Sequence, residues 1–157
     1  MMRIAVYPKC YEADLVSGRM SLFDWIEKAR GLGAEGLEMY EGFFQSLDDG
    51  YLDQVRQALC RVGFEMPMMC CSPDFTHPDA DRWRKELERE MMMIRATAKL
   101  GGGWCRVLSG QRHPGMPRDQ GIKRVLRAYR ELFPVAREEG VILAIENHYK
   151  DGFWQYP

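Results

Sequence analysis

One pattern recurs four times along the chain and constrains its fold more than any other feature. An amphipathic helix is followed by a glycine and then by a short apolar strand that ends in polar residues. The four glycines, Gly33, Gly63, Gly101 and Gly140, lie 30, 38 and 39 residues apart, which is the size of one βα unit. The five predicted strands read IAVY, GLEMY, MPMMCC, WCRVL and VILAI. Such continuous apolar runs are typical of parallel strands whose sheet is covered by helices.

Four helices are predicted between these strands, over about residues 21–32, 52–62, 80–98 and 120–136. Ser21 and Asp24 form a capping box at the start of the first helix, and Pro134 is expected to kink the fourth because it removes a backbone donor. The third carries an apolar stripe of Trp83, Leu87, Met91, Ile94 and Ala98. The fold class is therefore α/β with parallel strands. Either an open doubly wound sheet or part of a closed (β/α)8 barrel fits this order of elements.

The composition predicts one soluble domain and excludes several classes of partner. With 157 residues, of which 46% are apolar, the chain is long enough for one sizeable core. A net charge of -1 without a basic stripe argues against nucleic acid, and no apolar run reaches the length of a membrane helix. Five cysteines, odd in number and without a C-x-x-C motif, are interpreted as reduced core residues of a cytoplasmic protein.

The segment GLGAEG, residues 31 to 36, matches the dinucleotide fingerprint G-x-G-x-x-G letter for letter. In that fingerprint the glycines lie between a strand and the helix that follows, so that phosphate meets the helix N-terminus. Here they lie between a helix and the strand that follows. The match is therefore interpreted as a helix C-terminus and its loop, without a nucleotide site.

Reactive groups are expected at the carboxyl ends of the strands, where the sites of parallel α/β proteins lie. All three histidines of the chain, His77, His113 and His148, fall on this edge, together with Glu41 and Glu146. Glu146 directly ends a five-residue apolar run on the parity expected to face inward, where a carboxylate is costly without a metal or a cation. Glu146 is therefore the strongest candidate for a functional residue.

Two strands carry a charge within their apolar run, Glu38 in GLEMY and Arg106 in WCRVL. Residues of alternate barrel strands contribute to the same interior layer. We therefore expect Glu38 and Arg106 to form an interior ion pair, since neither charge is well tolerated alone among apolar neighbours. The alternative is that both charges lie at the periphery of the sheet and are solvated.

The strand GVILAIENH after a helix ending in AREE, together with GAEGLEMYEG and SPDFTHPDADRWRKELE, resembles the xylose isomerase-like TIM barrels. This superfamily contains sugar phosphate isomerases and epimerases as well as the AP endonuclease family. The resemblance implies that Glu146 is both a ligand of a divalent metal (Mn, Mg, Co or Zn) and a carboxylate that moves a proton next to a carbonyl. It implies a small sugar or sugar phosphate as substrate, contacted by Asn147 and His148. His113, His77 and Glu41 are weaker candidates for substrate contacts.

The sequence departs from this family in one respect. Family members bring further metal ligands from strands six to eight, whereas five strands are predicted here. A complete barrel of about 250 residues is also longer than this chain. We expect residues 1–157 to form a single, incomplete barrel domain whose remaining metal ligands lie on missing strands, and the isolated chain to be inactive. Alternatives are a cyclitol dehydratase, an AP endonuclease-like metal hydrolase, or a non-catalytic half barrel that forms a homodimer to bury its open edges.

Overall fold

The strands form one continuous arc in chain order. The computed structural model describes residues 3–148, with strands β1 (Ala5–Val6), β2 (Gly36–Leu37), β3 (Met39–Tyr40), β4 (Met68–Cys71), β5 (Trp104–Val107) and β6 (Ile142–Ile145). All pairings are parallel: β1 pairs with β2, and β3 to β6 follow one another. A doubly wound sheet reverses its strand order at a switch point, and this arc does not. The fold is therefore part of a (β/α)8 barrel, as one of the two predicted architectures requires.

In the part of the chain that the structure describes, five α-helices lie between the strands: α1 (Glu12–Val16), α2 (Leu22–Lys28), α3 (Asp49–Val62), α4 (Ala80–Lys99) and α5 (Arg118–Glu139). Helices α2 to α5 are the four that the sequence predicts, and α1 is an additional short one. The predicted capping box at Ser21 and Asp24 is confirmed by reciprocal hydrogen bonds of 3.1 Å. Helix α5 continues through Pro134 to Glu139. Within residues 3–148, no helix combines the length and apolar character needed to cross a bilayer.

The predicted strand GLEMY is interrupted at Glu38. Gly36 and Leu37 pair with β1, whereas Met39 and Tyr40 pair with β4. The chain changes partner at this point, with the backbone N–H of Glu38 donating to Val6 at 3.0 Å. The interruption therefore places a carboxylate at the junction between the two parts of the arc.

The core lies between the sheet and the helices. Its largest fully buried side chains include Met69, Leu87, Ile94 and Leu132. Three of the cysteines, Cys70, Cys71 and Cys105, are buried as predicted. The prediction is wrong for Cys10 and Cys60, which are exposed because they lie in a surface turn and on the outer face of α3. All five thiols are free.

The concave side of the arc exposes apolar side chains. Trp104 and Ile142 are register partners on β5 and β6 and are 48% and 52% exposed. In a closed barrel, such positions are covered by side chains from the opposite strands. The homodimer expected from the open edges stays a prediction.

Candidate functional site

A cavity of about 360 Å³ lies at the carboxyl ends of the strands, on the concave side of the arc. Each part of the arc contributes to its lining, which includes Tyr7, Glu38, Tyr40, Cys70, Arg106, Glu146 and His148. Cys70 and Arg106 are register partners on β4 and β5. Alternate strand residues point to the same side of a sheet, so one row of side chains from neighbouring strands forms the wall of this cavity.

Glu146 and Arg106 form the charged centre of the cavity. The Nε atom of Arg106 lies 3.2 Å from Oε2 of Glu146, and its Nη1 donates to the backbone carbonyl of Cys71 at 3.2 Å. The arginine side chain is only 17% exposed, while that of Glu146 is 42% exposed. The cation is thus mostly enclosed by protein, and the carboxylate that it orients remains open to a ligand.

The ion pair predicted between Arg106 and Glu38 is replaced by this one. Arg106 is the register partner of Ala144, so Glu146, two residues further along β6, lies on the same face next to it. Glu38 is separated from Arg106 by strand β4. Among the described residues no ion pair joins Glu38 to Arg106. The physical reason is that β4 lies between their strands, whereas the register of β5 and β6 places Glu146 beside Arg106.

Glu38 is the second carboxyl group of the cavity. Its side chain is half-buried, and burial raises its pKa above the ordinary glutamate value, an effect that the charge of Arg106 partly offsets. Desolvation disfavours the charged form of a carboxyl group. Glu38 and Glu146 therefore differ in environment, since burial raises the pKa of Glu38 whereas Glu146 is in direct contact with a cation.

A hydrogen-bonded group from the first strand and its loop completes the cavity wall. The Tyr7 hydroxyl donates to Oε2 of Glu12 at 3.1 Å, and Nζ of Lys9 lies 2.7 Å from the same oxygen. The hydrogen bond from Lys9 is the largest effect that lowers the pKa of Glu12. Burial, reinforced by the charge of Glu12, raises the pKa of Tyr7. This wall thus offers a carboxylate, an ammonium and a neutral phenol to a polar ligand.

Two of the predicted histidines meet on the rim of the arc. Nε2 of His113 lies 2.7 Å from Oδ2 of Asp74, and the ring centroids of His113 and His77 are 5.1 Å apart. The other oxygen of Asp74 accepts hydrogen bonds from the backbone N–H groups of Thr76 and Gln111. Asp74 therefore ties the loop after β4 to the loop after β5. His113 lines a separate, smaller depression of about 180 Å³.

The remaining predicted residues occupy different environments. His148 lines the main cavity together with Glu146, and Asn147 is exposed. Glu41 is buried: one oxygen accepts from the N–H of Ser72 at 2.7 Å, and the other lies 3.0 Å from Nε of Arg89. Both oxygens of Glu41 are thus engaged by the protein itself. The structure does not bring Glu41 or Asn147 into the main cavity.

Sequence reasoning missed Tyr7, Tyr40 and Cys70 as cavity residues. A signal for Tyr40 was present, because it follows Glu38 by two residues and period-two spacing keeps both side chains on the same face of the sheet. Cys70 had no such signal, because its position beside Arg106 depends on the register between β4 and β5. Tyr7 lies at the end of an apolar run, where its aromatic ring is equally typical of a core position.

A second group of titratable side chains lies on the helix side of the sheet. Sγ of Cys71 is 3.6 Å from Sγ of Cys105, whose thiol donates to Oε1 of Glu90 at 3.3 Å. All three side chains are buried. Burial is the main cause that raises the pKa of Glu90. The pKa of the Cys71 thiol is also raised, mainly by its hydrogen bond with Cys105. Within the described residues this is the one cluster of three potential metal ligands.

Several solved structures share this fold at low sequence identity. The 3-keto-D-glucoside 4-epimerase of E. coli superposes with a TM-score of 0.76 and 18% identity, covering 97% of this chain and 58% of that one. A D-psicose 3-epimerase superposes with a TM-score of 0.74 and 16% identity, covering 92% of this chain and 52% of that one. An IOLI protein with a bound zinc atom superposes with a TM-score of 0.71 and 14% identity, covering 92% of this chain and 51% of that one. The chain thus spans about half of the length of these proteins.

Sequence comparison agrees with the structural comparison. No curated protein matches the chain. The family model described as "Xylose isomerase-like TIM barrel" matches residues 26–156, which is most of the sequence. The matched segment includes every strand from β2 to β6 and the cavity residues Glu38, Arg106 and Glu146. The chain therefore belongs to the xylose isomerase-like TIM barrel family.

Proposed function

We propose that this chain forms the N-terminal part of the active site of a sugar or sugar phosphate isomerase or epimerase. In this proposal Glu146 moves a proton at the carbon next to a carbonyl group. The observation that carries the proposal is the placement of Glu146 at the end of β6, oriented by Arg106 inside a cavity of about 360 Å³. Two structures with the same fold are named as sugar epimerases, which supports the reaction class.

Arg106 would prepare Glu146 for proton removal. A general base has to be oriented toward the proton that it removes, and the guanidinium of Arg106, with Nε 3.2 Å from Oε2, fixes the position of the Glu146 carboxylate. Proton removal next to a carbonyl creates negative charge on the carbonyl oxygen. A mostly enclosed cation within the same cavity would stabilise that charge more than it would in water.

The other polar groups of the cavity would bind the hydroxyl groups of the sugar. Glu38, whose pKa is raised by burial, has a neutral form that can donate a hydrogen bond to a sugar oxygen. Glu12, held by Tyr7 and Lys9, would accept from a hydroxyl. His148 would contact the substrate beside Glu146, with Asn147 outside the cavity and with His113 and His77 on the rim as weaker contacts.

Residues 3–148 do not by themselves form a metal site at Glu146. One oxygen of Glu146 is paired with Arg106, and among the described residues no three potential ligands converge there. A divalent cation in this family would need four or more ligands. The cofactor proposal is therefore limited to Glu146 as one ligand of a Mn, Mg, Co or Zn ion. No catalytic step is assigned to that ion.

A product screen tests the reaction class. The full natural protein that contains these residues is incubated with ketohexoses, ketohexose phosphates, a cyclitol ketone and a duplex with one abasic site, with and without added Mn²⁺. The proposal predicts an isomeric sugar product of unchanged mass. A product that has lost water would identify a dehydratase, and cleaved duplex would identify a hydrolase. Either outcome would overturn the proposed reaction.

A further inference from the structure

We propose that Cys71, Glu90 and Cys105 form a second metal site, on the opposite side of the sheet from the cavity, which binds Zn²⁺. The three side chains come from β4, α4 and β5. Cys70 and Arg106 line the cavity, so their neighbours Cys71 and Cys105 point to the other face of the sheet. Helix α4 covers that face and contributes Glu90. The site is therefore independent of Glu146.

Two of the distances within the cluster are close to the edges of a zinc tetrahedron, and all three ligand atoms lie within 4.8 Å of one another. With Zn–S of about 2.3 Å and Zn–O of about 2.0 Å, a tetrahedral ion separates two sulfurs by about 3.8 Å and a sulfur from an oxygen by about 3.5 Å. The observed separations are 3.6 Å between the sulfurs and 3.3 Å from Cys105 to Glu90. A small outward adjustment would accommodate the ion. The same sulfur separation is far from the 2.05 Å or so of a disulfide.

The chemistry of the donors selects the metal. Two thiolates and one carboxylate suit Zn²⁺, whereas Mg²⁺ and Ca²⁺ require oxygen ligands. Three protein ligands is also the number found in zinc sites that leave one position for a small molecule. The donors bring a charge of -3 when deprotonated, and a divalent ion reduces it to -1.

The metal-free cluster is a poor environment for a carboxyl group. Glu90 is only 1% exposed, and a buried polar group needs strong hydrogen bonds to offset its desolvation. Its partners in the cluster are the thiols of Cys105, at 3.3 Å, and of Cys71, and thiols are weak donors. A metal ion would replace these weak hydrogen bonds with a coordination bond.

Burial also determines how the ion enters. All three ligands are fully enclosed between α4 and the sheet, so a preformed site would exchange metal slowly. The ligands become accessible when the chain unfolds, and zinc would bind as the elements assemble. Binding to the folded state alone raises the stability of the protein.

Metal loading during refolding tests the proposal. The chain is refolded with one equivalent of Zn²⁺ or Co²⁺ and desalted, and its metal content is measured by mass spectrometry. We expect about one zinc per chain, a thiolate-to-cobalt charge-transfer band, and a higher Tm with zinc than without. Cys105→Ala and the nearly isosteric Glu90→Gln should lose the stoichiometric metal, the cobalt band and the zinc-dependent rise in Tm. Far-ultraviolet circular dichroism without metal verifies that each variant folds.

The exposed cysteines provide matched controls. Cys10→Ala and Cys60→Ala remove thiols outside the cluster and should retain the metal and the cobalt band. A wild-type chain that refolds without retaining zinc would overturn the proposal, as would metal that persists in Cys105→Ala but is lost in Cys60→Ala. An intact mass 2 Da below that of the reduced chain, with Cys71 joined to Cys105, would also overturn it in favour of a disulfide.

Discussion

The ion pair between Arg106 and Glu146 makes a quantitative prediction about stability. Exposed pairs contribute about 0.2–1 kcal/mol, whereas removing one partner of a fully buried pair costs about 3–5 kcal/mol. Arg106 is 17% exposed and Glu146 is 42% exposed, so solvent screens part of the interaction. We expect Arg106→Met to lower the free energy of unfolding by about 1–2 kcal/mol, between these limits. The loss includes the hydrogen bond to Cys71 and the favourable charge that Arg106 provides to Glu38.

A double-mutant cycle separates the pair from these other effects. Arg106→Met, Glu146→Gln and the double variant are unfolded in urea at pH 7 and followed by circular dichroism. We expect a coupling energy of about 0.5–1 kcal/mol between Arg106 and Glu146. The matched control is the exposed pair of Arg30 and Glu27 at 3.3 Å, with an expected coupling of about 0.3 kcal/mol. A coupling at Arg106 no larger than that of the control would refute the reasoning.

Three further predictions concern the cavity, its rim and the core. Glu38→Gln should become more stable relative to wild type as the pH rises above about 4.5, because a raised pKa in the folded state means that wild-type stability is lost as Glu38 ionises. Urea unfolding between pH 4 and 8 measures this, and a pH-independent difference would contradict it. Gly110→Ala should cost more than about 1 kcal/mol, since φ is 131° and a Cβ would lie 2.5 Å from a neighbouring hydroxyl oxygen. Gly103→Ala, whose added Cβ would have no atom within 4 Å, is the control. Equal losses of unfolding free energy in the two variants would be inconsistent with strain at Gly110. Leu132→Ala should cost about 2–5 kcal/mol because the side chain is fully buried, whereas Leu126→Ala, at 47% exposure, should cost much less; thermal unfolding compares the two.

The elements and the position of Glu146 were predictable because they depend on local pattern. The glycines after each helix adopt or adjoin left-handed turns, as at Gly63 and Gly140 with φ of 78° and 69°, and few other residues fit there. The inward parity of Glu146 follows from strand periodicity alone. Its ion pair with Arg106 was not predictable, because it depends on the register between β5 and β6, which is determined by tertiary packing.

Glu90 shows why the buried cluster was missed. The predicted stripe of α4 passed through Met91, yet Met91 is half-buried while Glu90 is 1% exposed. The spacing from Leu87 to Glu90, Ile94 and Thr97 follows the same helical face. A glutamate on that face gives no sign of burial in the sequence, because an unpaired carboxylate is rarely buried. The two thiols that face it come from strands distant in sequence, so no local signal indicated them.

Deuterium exchange tests the central role of Glu146 most directly. The full natural protein that contains this chain is incubated in D₂O with the sugar that the product screen identifies, and incorporation at the carbon next to the carbonyl is followed by NMR. We predict that Glu146→Gln lowers the exchange rate by at least about 100-fold, the usual minimum contribution of a general acid or base. Glu138→Gln, which changes an exposed carboxylate on α5, should exchange at the wild-type rate. Exchange in Glu146→Gln that equals wild type would contradict the assignment of this residue as the proton-transferring carboxylate.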